Sequence, residues 1–369
     1  MYRIKVATYK FLVNILLRLP DAFYAVLFAV VFPIYKALHK ERAYGRVEKH
    51  LELARNYITK KNTIDCFAPL QGPRNDEQGY TARELAHALD NRSVMSLLND
   101  EEAESRSIKP LEHTTARDTF RGIFWNALES YRGLARFKSV EKRIVYENEH
   151  IIQGAIAECA KQNAPIAGIS IHQGAFELLH RALCRYSEHV HLITDSVGDI
   201  AFREVLKNLR SDKHLTEYHP DETGRLIREL FRTKGILAMV IDQGKHTKGN
   251  TVSLFGRPST LYLRLPQKVN NMGAGIVTFR TWSEQERIII RFESYYPPQY
   301  DVTHKPLHIN PSTLSAPKSG THAGSSDKRA NATIDNSPLV TGIAHEVETW
   351  IAEHPEQWSW NYHGNFVAN

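Results

Sequence analysis

The chain has 369 residues, enough to bury a large core, and its 42% hydrophobic, 10% aromatic and 24% charged residues exclude a disordered protein. A net charge of +6 and a pI near 9.0 favour an anionic partner, whether a phospholipid surface, an acidic carrier protein or nucleic acid. The lack of zinc-finger spacing, an RNP-type aromatic motif or a helix–turn–helix signature argues against nucleic acid, and three widely separated cysteines, Cys66, Cys159 and Cys184, argue against a disulfide scaffold and fit a reducing compartment.

Residues 22–35, AFYAVLFAVVFPIY, carry no charge, and the preceding residues 11–19 carry only Arg18. Neither stretch alone reaches the ~20 residues that cross a bilayer. No small-residue cleavage site follows, so a retained anchor is expected rather than a removed signal. Arg3, Lys5 and Lys10 lie before the apolar stretch and Lys36, His39, Lys40, Arg42 and Arg46 after it. Basic residues on both flanks suit a segment lying in, or dipping into, an anionic cytoplasmic leaflet. The competing reading is an amphipathic helix packed on the protein's own core.

Val47, Leu51, Leu53, Ala54 and Ile58 predict a helix over 41–60. Residues 65–80 contain Pro69, Gly72, Pro73 and Gly79 and read as a loop; Thr81 and Glu84 form a capping box for a helix over 81–98; residues 99–112 are charged and solvated. A strong helix follows over 115–136, with Phe120, Ile123, Phe124, Ala127, Leu128 and Tyr131 on one side.

From there strands and helices alternate: helix 151–162, buried strand 166–171, helical spacing again over 177–183, strand 190–194, helices 200–209 and 223–234, strand 236–241. This order predicts an α/β fold, a mainly parallel central sheet flanked by helices, with active residues at the carboxyl ends of strands. Residues 275–282 and 287–292 read as paired strands, 303–336 as a mobile insertion, and 340–354 as the last helix. The expected organisation is a membrane-anchoring helical segment over 1–40, a helical extension over 41–114 and an α/β domain over 115–369.

His172 stands at a strand end in IAGISIHQGAFELL, residues 166–179. With Gly174 allowing a tight turn, the Glu177 carboxylate could fold back onto the imidazole, fix its tautomer and make it a general base. The plain alternative is a satisfied strand-end histidine beside a glutamate that favours a helix N-terminus. Ser170 shares a strand face with His172, which makes a Ser–His hydrolase conceivable, but GISIH puts the histidine where the serine elbow would need its serine. A histidine backed by an acid suits activation of a hydroxyl brought by a substrate. Asp242 and Gln243 fall at a later strand end, and the following GKHT is no phosphate loop because the glycine required five residues earlier is Met239.

HQGAFE, residues 172–177, resembles the H-x4-[DE] motif of the bacterial lipid A biosynthesis acyltransferases, late lauroyl/myristoyl-type enzymes of the lysophospholipid acyltransferase superfamily. MVIDQG (239–244), LFGRP (254–258) and PEQW (355–358) are similar to three further blocks of that family, in the same order. The run STLYLRLPQKVNN after FGRP departs from the family's small-residue pattern, with Tyr262, Arg264 and Pro266 changing volume and charge beside the site. The resemblance implies an O-acyltransferase with His172 as general base and Glu177 as its orienting partner. It implies that Asp242, Gln243, Gly256, Arg257 and Pro258 shape substrate binding and that Arg210 contacts an acceptor phosphate or the oxyanion. It further implies an acyl carrier protein thioester as donor with no other cofactor, a lipid A precursor or other lipid as acceptor, and a place on the cytoplasmic face of a bacterial inner membrane.

Overall fold

In the computed structural model residues 2–39, 43–67, 111–194, 200–243, 249–284, 286–299 and 334–360 are described. The readings made for 68–110, for the loop at 244–248 and for most of the 303–336 insertion lie outside them.

A seven-stranded sheet organises the molecule, built from β1 (Ile144–Glu147), β2 (Ile166–Ser170), β3 (Val190–Ile193), β4 (Leu215–Tyr218), β5 (Ile236–Val240), β8 (Gly275–Glu284) and β9 (Arg287–Tyr296), in the spatial order β1-β9-β8-β2-β5-β3-β4. Every neighbouring pair is parallel except the β8–β9 hairpin, so β1 and β9 run against the other five. Strands β6 (Asn250–Leu254) and β7 (Arg257–Leu261) form a separate antiparallel hairpin. The sheet is therefore mixed but mostly parallel, as the alternation of elements predicts.

The central strands read as continuous apolar runs because both faces are covered. Alternate residues serve different cores: Ala167, Ile169, Leu237 and Ile276 pack into one, while Ile166, Ala238, Val277 and Phe279 pack into the other. The first core is closed by α3 (Gly45–Phe67), α8 (Thr223–Thr233), α9 (Arg264–Asn271) and α10 (Pro338–Glu353), and the second by α5 (Glu149–Lys161) and α6 (Leu179–Leu183). Helix α4 (Ala116–Ala135) reaches both, and its first turn is held by a capping box in which Thr115 and Asp118 exchange hydrogen bonds.

Strands β1, β4, β6 and β7 do not appear in the sequence reading. Each has four or five residues; β1 and β4 bury only one side chain apiece, so neither shows a long apolar run. Helix α3 extends to Phe67, past the predicted end at 60.

Helix α1 (Tyr2–Leu16) lies against α7 (Ile200–Arg210), where Tyr9 meets the Phe202 ring edge-on. Helix α2 (Asp21–His39) lies on α4 through Tyr24 and Phe28 against Phe124, and Phe32 against Phe120. Their outer faces are bare: Phe11, Leu12, Ile15, Leu16, Phe23, Val26, Val30, Val31, Ile34 and Leu38 are exposed, and among the described residues only Ile200 and Ile334 are other large exposed hydrophobics. Asp21–Leu38 is long and apolar enough to cross a membrane, with mean hydropathy 1.6.

Candidate active site

Strands β2 and β5 are parallel neighbours in which Ser170 pairs with Val240. The ladder continues one step, as the Ile241 N–H donates to the Ser170 carbonyl at 2.9 Å. The next residue on each strand is therefore His172 on one and Asp242 on the other, side by side at the carboxyl edge of the sheet. Equal offset from a shared register is what brings them together.

The contact is dense. His172 Nδ1 lies 2.7 Å from Asp242 Oδ1, the His172 backbone N–H donates to both carboxylate oxygens at 3.1 and 3.0 Å, and the Trp358 indole Nε1–H donates to Oδ2 at 3.0 Å. Asp242 is 3% exposed. A carboxylate oxygen accepting from the ring assigns the histidine's proton to Nδ1 and leaves the lone pair on Nε2. The imidazole is held edge-on to the Phe176 ring at 4.5 Å between centroids. Among the described residues no hydroxyl or thiol hydrogen-bonds to Nε2. Ser170 is buried and its hydroxyl has no partner among the described residues, so it has no base poised to activate it there.

No family model matches the chain, and no curated protein matches it in sequence.

The expected pairing of His172 with Glu177 is corrected by these contacts. Residues Phe176–Leu178 form a 3-10 turn rather than the start of a regular helix, and Glu177 takes Arg210 as its partner through two bonds, Nε to Oε2 at 2.8 Å and Nη2 to Oε1 at 2.5 Å. Burial would raise the Glu177 carboxyl, but the Arg210 guanidinium more than reverses this and holds it below the usual range, with His180 and His172 adding to the effect. Burial likewise opposes the Arg210 charge, and Glu177 and Glu217 overcome it, so the guanidinium is raised further above its ordinary value. The third guanidinium nitrogen, Nη1, lies 3.3 Å from Glu217 Oε1. Arg210 thus places all three nitrogens on carboxylates, an ion-pair cluster that braces the turn after His172.

That turn depends on Gly174. Its φ is +55°, and a Cβ there would lie 2.5 Å from the Thr281 carbonyl oxygen. The C-terminal segment grips the same turn: Gly174 N–H donates to the Gln357 carbonyl at 3.1 Å, and Ser359 N–H donates to the His172 carbonyl at 3.3 Å. Gln357 is itself fixed by its side chain, which accepts from Ser283 N–H at 2.8 Å and donates to the Ser283 carbonyl at 2.9 Å.

Gln243 follows Asp242 at the same edge, and its Nε2 is buried without a hydrogen-bond partner among the described residues. It remains a candidate donor to substrate. Gly256, Arg257 and Pro258 stand elsewhere: Phe255 (φ +49°) and Gly256 (φ +66°) form the tight two-residue turn of the β6–β7 hairpin, and a Cβ on Gly256 would strike the Tyr57 ring at 2.7 Å. Arg257 and Pro258 are exposed beside that turn. These three residues thus make up the turn end of that hairpin. It connects to the dyad through rings, with Phe255 stacked on Trp360 at 6.3 Å and Trp360 edge-on to Trp358 at 4.8 Å, and through Tyr262, just past β7, whose N–H donates to the Ile241 carbonyl at 2.7 Å.

Trp358 is the site residue that sequence reasoning left out, and the contact of Asp242 with His172 was not foreseen either. The available signal was two indoles, Trp358 and Trp360, in a short C-terminal stretch. Buried indole N–H groups need acceptors, and Asp242 is one. Among the described residues no three His, Cys, Asp or Glu side chains gather as they would around a metal ion.

Proposed function

We propose that the protein is a membrane-associated O-acyltransferase in which His172 Nε2 is the general base and Asp242 its orienting acid. The observation that carries the reading is a proton-bearing Nδ1 locked on a buried carboxylate, with Nε2 available and no nucleophile of the protein's own within reach among the described residues. Such a base serves a hydroxyl that arrives with a substrate. Nε2 takes the hydroxyl proton as the oxygen attacks the carbonyl carbon of an acyl thioester. The tetrahedral oxyanion then collapses, the C–S bond breaks, and the thiolate leaves with the proton from the imidazolium. The products are an ester and a free thiol. Gln243 Nε2 supplies a hydrogen bond to the reacting groups.

The four blocks HQGAFE, DQ, FGRP and PEQW resemble those of lipid A biosynthesis acyltransferases. Their physical linkage here, through Asp242, Trp358, Trp360 and Phe255, supports reading them as one unit. On that resemblance the donor is an acyl carrier protein thioester and the acceptor a lipid A precursor or related glycolipid at the cytoplasmic face of the inner membrane. The bare apolar faces of α1 and α2 support the lipid surface. Ile200 opens α7 shortly after the carboxyl end of β3, which extends apolar surface toward the edge of the sheet that carries the dyad.

The test is His172→Ala in the purified full chain, with acyl carrier protein thioester and lipid A precursor, followed by mass spectrometry of the lipid product. Loss of about 10²- to 10⁴-fold is expected for removal of a general base. Acylation at the wild-type rate would overturn the assignment.

A further inference from the structure

We infer that Trp358 is a positioning residue for the base, acting through Asp242 by holding the carboxylate in the orientation that locks the His172 tautomer. This deepens the proposed function and rests on it for its catalytic consequence, although the locking itself does not require any particular substrate.

A carboxylate on a single side-chain bond can rotate about that bond. Oδ1 is fixed by the His172 ring, but a second anchor is needed to keep Oδ1 pointed at Nδ1, and the Trp358 indole supplies it at Oδ2. The His172 backbone N–H contacts both oxygens almost equally, so it holds the carboxylate toward β2 without distinguishing Oδ1 from Oδ2. The indole is itself immobilised. Trp358 is 1% exposed, its backbone forms a bridge with Gln173, and its ring packs edge-on against Trp360, whose own Nε1–H donates to the Pro355 carbonyl at 2.6 Å. A preorganised donor aimed at a buried carboxylate is the arrangement that raises the directional value of a hydrogen bond.

Trp358→Phe keeps a buried aromatic and deletes the donor. The primary readout is the ¹⁵N spectrum of the His172 imidazole, assigned by comparison with His172→Ala, which reports which nitrogen carries the proton. Wild type should show Nδ1–H at near-full occupancy, and Trp358→Phe should show a mixture of both tautomers. Trp360→Phe is the control for packing: it removes an indole bond to Pro355 and should lower stability while leaving the tautomer unchanged. On the acyl-transfer reading, kcat of Trp358→Phe should fall roughly 10- to 100-fold with KM little changed.

An unaltered tautomer in folded Trp358→Phe would overturn the inference whatever the activity. A shifted tautomer with no acyl transfer by wild type would leave the positioning role standing and sink the proposed reaction instead. Should Trp358→Phe fail to fold, wild type still decides the matter. One of its five indole N–H resonances must move in step with His172 protonation, and if none does the inference fails.

Discussion

Glu346 offers the sharpest test of the packing because its cost can be switched on by pH alone. It lies on α10, half-buried against β8 and β9, where the Tyr296 hydroxyl donates to Oε1 at 2.7 Å and Oε2 is shielded from solvent without a hydrogen-bond partner among the described residues. Burial pushes its carboxyl from about 4.5 up to about 7; the hydroxyls of Thr278, Tyr296 and Ser294 oppose the rise and the Glu293 carboxylate adds to it. The folded state therefore holds the proton more tightly than the unfolded one. Below about pH 4.5 both states are protonated and Glu346 costs nothing. As pH rises to about 7 the unfolded chain ionises first, and stability falls across that window. The full penalty is about 2.5 units at 1.36 kcal/mol each, or roughly 3 kcal/mol, and is reached above pH 7. Glu346→Gln keeps the shape and removes the charge, at some expense for an amide N–H without an acceptor. Urea unfolding followed by tryptophan fluorescence should show the variant about 1–3 kcal/mol more stable than wild type at pH 8 and no more stable at pH 4.5. Glu293 is also raised by burial, but it is present in both proteins and cancels in the difference. A difference that does not change with pH would refute the reasoning.

Arg210→Met should destabilise the fold by about 3–5 kcal/mol near neutral pH, because Glu177 is left buried and uncompensated, whereas Glu177→Leu combined with Arg210→Met should recover much of that loss in the same unfolding assay. The Glu177 carboxyl is depressed in the folded state, so the pair's contribution is full above about pH 4.5 and is lost as pH falls through the lower folded value; the Arg210→Met deficit should shrink in acid. Gly174→Ala should cost at least about 2 kcal/mol, from a left-handed backbone and a contact with Thr281 that something must relieve, measured by the shift of the urea midpoint. Val26→Asp with Val30→Asp changes two exposed positions of α2; circular dichroism should be unchanged while co-sedimentation with anionic phospholipid vesicles falls, and undiminished sedimentation would count against α2 as the lipid-facing surface.

The central sheet was legible because its inner strands are covered on both faces. Strands such as IAGIS and ILAMV are apolar but for the closing Ser170, are bounded by turns, and alternate with amphipathic helices, which leaves few arrangements other than parallel pairing. The helix at 115–136 was legible for a different reason, since its stripe of Phe120, Ile123, Phe124, Ala127, Leu128 and Tyr131 survives in the sequence. The partly exposed edge strands left no comparable pattern. Residues such as Leu215–Tyr218 bury one side chain and owe their conformation to the β3 backbone beside them. The β6–β7 hairpin was hidden by its turn: Phe255 adopts positive φ, a conformation no phenylalanine announces, and Gly256 beside it makes room for the Tyr57 ring.

The identity of the acid shows where local reading stops. Glu177 is five residues from His172 and shares its motif, so proximity along the chain nominated it; Asp242 is 70 residues away and became a partner only because β2 and β5 are neighbours in the sheet. Nothing in either strand's composition specifies that neighbour, since β2 could as readily have paired with β3, the next strand in sequence. Once the β2–β5 register is known, however, the pairing is forced. Residues two past the ends of adjacent parallel strands lie side by side, and a histidine opposite an aspartate closes a dyad without any help from the turn. The same register explains why Glu177 is free to serve Arg210: with Asp242 already on Nδ1, a second acid on the imidazole would have no proton to accept, and its burial would need another cation. Arg210 is that cation, so Asp242 pairs with His172 while Glu177 pairs with Arg210 and holds the turn that follows the histidine.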